Sequence, residues 1–524
     1  MHSDSHSAAA RAGTDPSGEE TDEGVRTERG DGSGGLRSAR RAFLGAAGFT
    51  SGAAPWLLGG EPVVAEWVLL VGAILTAVTG FRVRALCVRT YSGRSAWKVE
   101  QLCLACGALL LVLMLSQALN PAFRVEVQGE TSRLVPLNPI PWLPQSIADA
   151  FDGGGPLPVF RNAWRYLLIF GTGWLYVAGL AAGFRERENA RSWARLMGVN
   201  AALLAAVSLL HAATGSKLAW WVFAGGGESG AGAVFLQKSQ EGAYLAALLA
   251  LVCGLAMEEK ESRRRRRTWE VLALVLWGAT LLADPRIATA CASGWLIIYW
   301  WLRREKRWHP SGELGVSGAW FLGAAVTAAA VSLIFTMGSI TTEKTADGDE
   351  HELVGRNRAE VSSLHEMERE VGLAMWVDRP ITGWGGGAYP TLFVFYGEKV
   401  VSMATYLHSL PPGKARPQSA SARSDVVEFL VEYGVCGLVL LLAIFGAHLH
   451  GWIYWRGWSE PLASFLIAGS VGLVIHAGFD SILRTPAPLF LFSGLQIAAV
   501  RLAAPSKGKK PGRVRRSARE MAAG

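Results

Sequence analysis

The chain has 524 residues, half of them apolar, and its 51 lysines and arginines against 43 acidic residues give a net charge of +8. Several windows of about 20 residues carry almost no charge, which is the length needed to cross a hydrocarbon core of about 30 Å. Because such windows recur from residue 42 to residue 502, they exclude a wholly soluble protein and favour one transmembrane domain over several soluble domains. We predict an all-α, polytopic integral membrane protein.

Residues 1–40 are rich in Ser, Gly, Asp and Glu and have few aromatic side chains, which predicts a disordered cytoplasmic arm. Arg40 and Arg41 precede Phe43 and resemble a twin-arginine export signal. Because eleven further spans are predicted after them, we interpret these arginines as charges that hold the inner end of the first helix.

We predict about twelve transmembrane helices. Helices 1 to 9 belong to residues 41–338, helices 10 to 12 belong to residues 426–502, and residues 503–524 form a basic cytoplasmic tail. The predicted spans are 42–59, 62–81, 101–119, 163–183, 196–214, 241–257, 269–284, 288–302, 316–337, 426–447, 461–479 and 485–502.

The strongly basic segments between spans all fall on one side of the membrane if the N-terminus is cytoplasmic, as the positive-inside rule requires. Both termini are then cytoplasmic. The same orientation sends three long loops outside, 120–162, 215–240 and 339–425, of which the last lies between helices 9 and 10. The basic segments are Arg82 to Lys98, Arg185 to Arg195, Arg263 to Arg267, Arg303 to Arg307, and the tail after Lys507.

The largest loop carries the motif MEREVGLAMWVDRPITGWGGGAY. A helix is predicted to end at Pro380, because proline lacks an amide donor. Glycines such as Gly383 and Gly385 allow positive φ and a close approach of the backbone to a ligand, so they are candidates for substrate binding. A tight turn without a ligand is the alternative.

Several arginines lie at the outer surface, against the positive-inside trend. A guanidinium binds phosphate through two parallel hydrogen bonds. Each arginine taken alone could instead snorkel or cap a helix end, but their convergence on one face favours an anionic, lipid-linked substrate. These arginines are Arg286, Arg356, Arg358, Arg423 and Arg484.

Two ionisable residues lie in the penultimate span. His476 and Asp480 are four residues apart, which places both on one helical face and allows them to pair. Ionisable groups at membrane depth usually face the protein interior or an aqueous cavity. The pair is predicted either to clamp the last two helices or to form a wall of the substrate site.

Four segments in this order resemble the O-antigen ligase and polymerase-like glycosyltransferase superfamily. They are DPRIATA in a short outer turn, AMWVDRPITGWGGGAY in the large loop, SDVVEFLVEYGVCGL at the start of a span, and HAGFDSILRTPAPLFLF near the end. The resemblance covers most of residues 42–502. It implies location in the bacterial inner membrane, a periplasmic large loop, and transfer of a glycan from undecaprenyl pyrophosphate in cell-surface polysaccharide biosynthesis.

The resemblance also implies roles and partners. Arg286 and Arg356, or less closely Arg358, would hold the pyrophosphate and stabilise its charge as it leaves. The acceptor would be the lipid A core of lipopolysaccharide, another glycan or a protein hydroxyl. Beyond these substrates we expect contact with membrane lipid, no nucleic-acid partner, no cofactor and no metal.

Arg423 occupies the position at which the family has a histidine base. Arginine cannot accept a proton near neutral pH. We therefore predict a proton acceptor elsewhere, with Asp425 or Glu428 favoured slightly over His408.

Other functions remain open at this point. A polysaccharide polymerase or a protein O-oligosaccharyltransferase shares the same layout and differs in its acceptor. A lipid-glycan transporter is less favoured, because such proteins usually show repeated halves with binding groups near the midplane. The absent family histidine also leaves open an inactive assembly factor.

Overall fold

The structure is a computed structural model that describes residues 23–87, 94–128, 131–148, 162–224, 232–283, 286–304, 350–409, 419 and 421–505. It is mostly helical. Up to residue 304 the helices are α1 (Glu23–Ala53), α2 (Val63–Cys87), α3 (Arg94–Leu119), α4 (Ala163–Gly183), α5 (Arg187–Thr214), α6 (Lys238–Glu258), α7 (Arg263–Ala283) and α8 (Arg286–Arg304).

After residue 349 come α9 (Glu350–Asp378), α10 (Ala388–Tyr396), α11 (Val401–Ser409), α12 (Asp425–Tyr454), α13 (Pro461–Ala477) and α14 (Pro486–Ala503). Three of these, α9, α10 and α11, lie within the predicted loop 339–425. The predicted span 316–337 lies outside the described residues.

Seven of the described helices are long and apolar enough to cross a membrane, and α13 is apolar but shorter. The seven are α2, α4, α5, α6, α12, α14 and residues Lys98–Leu119 of α3. Membrane insertion is therefore supported, while the count of twelve spans stays a prediction. The described part of the predicted N-terminal arm, residues 23–40, begins α1, and residues 1–22 lie outside the description.

Two small sheets occupy loops for which an all-α fold predicted no strands. Strand β1 (Pro121–Gln128) pairs antiparallel with β2 (Thr131–Pro136) and parallel with β3 (Ser146–Ile147). Strands β4 (Leu218–Ala219) and β5 (Phe223–Ala224) form a second, two-stranded sheet. Strand pairing satisfies backbone groups of the loops that cap the bundle.

One end of the bundle, which we call the basic end, is held by ion pairs between helices. Arg187 pairs with Glu460 at 2.8 Å and Arg191 pairs with Glu258 at 2.6 Å. Arg501 of α14 pairs with the buried Glu100 of α3. The opposite end, which we call the loop end, is where α12 and α14 begin and α13 ends.

The core lies around α6, whose membrane-length window is 94 % buried in the protein. Helices α8 and α13 pack beside it in antiparallel directions, because Tyr299 contacts Phe465 whereas Trp295 lies at Gly472. The absence of side chains at Gly254 and Gly469 lets α6 and α13 approach closely, since a Cβ at either position would press on the other helix.

Candidate functional site

The helix that begins at Asp425 is broken at Gly434, whose φ of 61° and ψ of −166° are non-helical. The segment that follows α9 lies in this break. The amides of Trp384 and Gly385 donate to the carbonyls of Val431 and Glu432 at 2.8 and 2.9 Å. Beyond the break, the Val435 and Cys436 amides donate back to the Pro380 and Ile381 carbonyls at 2.9 and 3.1 Å. Backbone hydrogen bonds thus join the glycine-rich segment to both sides of the helix break.

The two predicted substrate glycines have a packing role in this arrangement. Gly383 and Gly385 have φ of 70° and 90°, a region that favours glycine. A Cβ at Gly383 would overlap the Glu432 backbone, and one at Gly385 would overlap Ser146. Their amides are already bonded, to the Arg379 and Glu432 carbonyls. The structure therefore supports the tight-turn alternative at these two positions.

Arg484 connects the segment after α13 to the first turns of α12. Its guanidinium contacts both oxygens of Glu432 at 2.7 and 2.9 Å and forms an ion pair with Glu428. It also lies 4.2 Å above the ring of Tyr166. With its two carboxylate partners 1 % exposed, this arginine holds the segment after α13 to α12.

The two carboxylates predicted as proton acceptors, Asp425 and Glu428, are buried as well. Asp425 Oδ2 accepts the amides of Ile482 and Leu483 at 2.8 and 2.7 Å. Glu428 Oε1 accepts the Ser481 hydroxyl at 2.6 Å, in addition to its pairing with Arg484. With 7 % and 1 % exposure, they serve as anchors for residues 481–484.

Above these anchors lies a partly exposed charged cluster, which we define as His365, Glu368, Arg369, Arg423 and Asp480. Arg423 Nε lies 3.7 Å from Glu368 and its Nη1 lies 4.0 Å from Asp480. Arg369 donates to the Arg423 carbonyl at 3.3 Å and to the Phe479 carbonyl at 3.1 Å. Three distant chain segments thus meet in the charged cluster, and Arg423 adopts a left-handed backbone with φ of 50° to reach it.

His365 is the member of the charged cluster that the sequence analysis missed. Burial lowers its pKa to about 4, and the Arg423 guanidinium adds to this effect, while Asp480 opposes it. At neutral pH the imidazole is therefore uncharged and able to accept a proton. The signal was present in the sequence, because His365 lies three and four residues before Glu368 and Arg369 and shares a helical face with them.

Glu368 balances the two guanidiniums of the charged cluster. Burial raises its pKa, while a hydrogen bond from Ser419 and the charge of Arg423 act in the opposite direction. Asp480 raises it further. Glu368 therefore keeps its proton to a higher pH than an ordinary glutamate does, whereas its neighbour His365 is uncharged at neutral pH.

The described side chains of His476 and Asp480 form no ion pair within 4 Å, although the sequence predicts that they can pair. Helix α13 ends at Ala477, and Asp480 lies in the turn that follows, where its amide donates to the His476 carbonyl at 2.9 Å. The Asp480 carboxylate accepts the Ser481 amide at 2.8 Å and faces Arg423 instead. His476 is buried at the end of α13.

The remaining predicted site residues lie apart. His408 is exposed near the end of α11. Arg356 and Arg358 fall in the part of α9 for which only the helical backbone is described. Among the described residues, no group of three His, Cys, Asp or Glu side chains is placed to hold a metal ion.

Arg286 is exposed at the first position of α8. Trp295 of α8 contacts Gly472 of α13. On α8, Arg286 lies nine residues before Trp295. On α13, Ala477 lies five residues after Gly472. Because α8 and α13 are antiparallel, Arg286 lies about 13.5 Å and Ala477 about 7.5 Å from this contact along the helix axes, toward the same end of the bundle. Arg286 therefore lies at the loop end, as the charged cluster does.

Neither models of protein families nor curated proteins match this sequence. Function is therefore inferred from the residues of the site.

Proposed function

We propose that this protein transfers a saccharide from undecaprenyl pyrophosphate to an acceptor hydroxyl at the loop end. The observation that carries the proposal is the charged cluster. It joins a neutral histidine, a carboxylate and a guanidinium of α9 to Arg423, just before the membrane-length helix α12, and to Asp480, after the shorter helix α13. The distribution of basic residues favours the periplasmic side of a bacterial inner membrane for this end.

In the proposed step the acceptor oxygen forms a bond to the anomeric carbon of the sugar. The bond between that carbon and the pyrophosphate oxygen breaks, and the pyrophosphate leaves with the electron pair. The acceptor proton moves to a base. A guanidinium near the leaving oxygens stabilises their growing charge, which is the role proposed for Arg286 and Arg356.

We propose His365 as the proton acceptor. Arg423 cannot accept a proton. Glu428 has its oxygens engaged with an amide, a hydroxyl and Arg484, and Asp425 is 7 % exposed with its Oδ2 bonded to two backbone amides. His365 is half-buried, uncharged at neutral pH and next to the residue that replaces the family histidine.

The test is transfer by the purified protein in lipid nanodiscs, supplied with a synthetic undecaprenyl-pyrophosphate saccharide and a candidate acceptor. Arg286→Ala should lower kcat by about 10²- to 10³-fold, the usual effect of removing one donor to a developing negative charge. Arg133→Ala is the matched control, because Arg133 is also exposed and lies in a loop strand.

Normal transfer by Arg286→Ala would overturn the role of this arginine. If the wild-type protein releases no undecaprenyl pyrophosphate with any acceptor, the enzyme proposal itself fails and an assembly factor or transporter takes its place.

The acceptor is addressed by deleting the gene and analysing surface polysaccharide by gel and mass spectrometry. Accumulation of lipid-linked long chains identifies a ligase, and accumulation of single repeats identifies a polymerase. Loss of a protein-linked glycan identifies a protein O-oligosaccharyltransferase.

A further inference from the structure

A second polar feature at the loop end is a cavity of about 250 Å³ between α5, α6 and α7. It is smaller than the roughly 300–1,000 Å³ of sites that enclose a drug-sized ligand. Its size therefore suits a head group rather than a complete lipid-linked saccharide. The polar residues that line it are Ser208, His211, Ser216, Lys217, Lys238 and Glu241.

The charges of this cavity favour an anion. Lys217 is exposed and Lys238 is half-buried, and within the described part of the chain neither forms an ion pair within 4 Å. The opposing carboxylate, Glu241, is 2 % exposed and is held in the wall by the Ser208 hydroxyl and the Ala233 amide. Two lysines therefore face one carboxylate in this cavity.

The other wall of the cavity is apolar and leads onto the outer face of α7. Leu282 lines the cavity and is 56 % exposed. Leu274 and Val271 are 47 % and 60 % exposed, and with Gly278 these residues follow spacings of three and four along one helical face. A hydrocarbon chain entering beside Leu282 can therefore continue along α7 without leaving an apolar surface.

The cavity lies close to both parts of the proposed site. Ala283 lines it, and Arg286 follows three residues later, which limits their Cα separation to about 11 Å. In the first turn of α6, Gln240 donates to the Thr485 hydroxyl at 2.9 Å, and Thr485 follows the partly buried Arg484. The N-terminus of α6 thus separates the cavity from the anchors below the charged cluster.

We propose that this cavity binds the phosphate group of a polyprenyl-linked lipid, with Lys217 and Lys238 as its cationic ligands and the face Val271, Leu274, Gly278 and Leu282 carrying the isoprenoid chain. This inference builds on the proposed function, since it assigns a place to the donor lipid.

The experiment measures binding of undecaprenyl pyrophosphate to the full-length protein in phosphatidylcholine nanodiscs, without any acceptor. The double variant Lys217→Gln, Lys238→Gln should bind at least about tenfold more weakly, as expected for the loss of one or more charge-assisted hydrogen bonds. Lys238→Arg, combined with wild-type Lys217, should retain binding. Lys399→Gln is the control, because it removes an exposed lysine of a loop outside the cavity.

Inorganic pyrophosphate distinguishes a lipid site from a simple anion site. It should displace the lipid only at concentrations far above those of unlabelled undecaprenyl pyrophosphate, because it lacks the isoprenoid chain. Equal displacement by both compounds, or unchanged binding by the double variant, overturns the inference. If the double variant binds the lipid normally and the wild-type protein transfers saccharide, the inference about the cavity fails while the proposed function stands. The failure of the cavity proposal is thus distinguishable from the failure of the proposed function.

Discussion

At the scale of single residues, burial separates charged groups that hold the structure from charged groups that can react. Asp425 and Glu428 were predicted as bases because they stand near the membrane surface on one helical turn. In the structure both are buried and bonded to residues 481–484. Breaking such a contact costs about 3–5 kcal/mol when a buried charge is left without its partner. Transfer by variants of these residues is therefore compared with the wild type at equal amounts of folded protein.

The pH dependence of transfer tests His365 directly. A pKa of about 4 keeps this imidazole neutral as the pH falls from 7 to 5, so kcat/KM should change little over that interval. For a histidine with the ordinary pKa of about 6.5, the neutral fraction would instead fall about 25-fold between pH 7 and pH 5. His365→Gln should lower transfer by about 10²- to 10⁴-fold.

His408→Gln is the control for this prediction, because His408 is exposed on α11. If His408→Gln lost transfer and His365→Gln kept it, the base would be His408. The free energy of unfolding gives an independent check. Because the unfolded chain binds the proton of His365 below about pH 6.5 and the folded protein only near pH 4, this histidine lowers stability as the pH falls through that interval.

At the scale of elements, the break in α12 decides where the glycine-rich segment can lie. The carbonyls and amides on either side of Gly434 pair with residues 380–385, and an unbroken helix would use those groups internally. The motif EYG at 432–434 therefore has a structural meaning. Glu432 forms an ion pair with Arg484, and Gly434 interrupts the helical hydrogen bonds of α12.

Gly434→Ala should destabilise the protein by about 1–3 kcal/mol for the strained backbone alone. Its Cβ would also overlap the Ile381 carbonyl. Thermal unfolding in detergent and limited proteolysis should show a lower Tm and faster cleavage within residues 380–387.

Gly446→Ala in the same helix is the control. Nothing lies within 4 Å of a Cβ at that position, so the substitution should be neutral or raise stability by about 0.5–1 kcal/mol. If both variants unfolded at the wild-type temperature, Gly434 would not be a required break.

At the scale of the whole molecule, the two ends of the bundle carry different chemistry. Interhelical ion pairs of arginine and glutamate hold the basic end. The small sheets, the cavity and the charged cluster all lie at the loop end. The positive-inside rule predicts that the basic end is the cytoplasmic one.

Labelling of introduced cysteines tests this orientation. In spheroplasts, a membrane-impermeant maleimide should label Lys399→Cys before lysis and Glu188→Cys only after lysis. Both positions are exposed, and the surface pair of Glu188 with Arg195 contributes little to stability. The exposed Cys436 is replaced by Ser in both variants to remove background. The opposite labelling pattern would invert the proposed topology.

Hydropathy alone located every described helix that is long and apolar enough to cross a membrane. A segment of about 20 apolar residues has few alternatives to crossing a bilayer. The motif SDVVEFLVEYGVCGL likewise placed Asp425, Glu428 and Glu432 at the start of a span. The sequence could not say which of these carboxylates would be buried, because their partners are more than fifty residues away. Burial and long-range pairing arise only when segments distant in the chain meet.

The sequence by itself determined a helical membrane protein with charge asymmetry between its two sides, since both follow from local composition. The tertiary structure decided that Asp425, Glu428 and Arg484 are anchors, that Asp480 faces Arg423, and that His365 joins the charged cluster. Each of those outcomes depends on electrostatic partners brought together by packing, and a partner's charge changes a group's proton affinity only at close range.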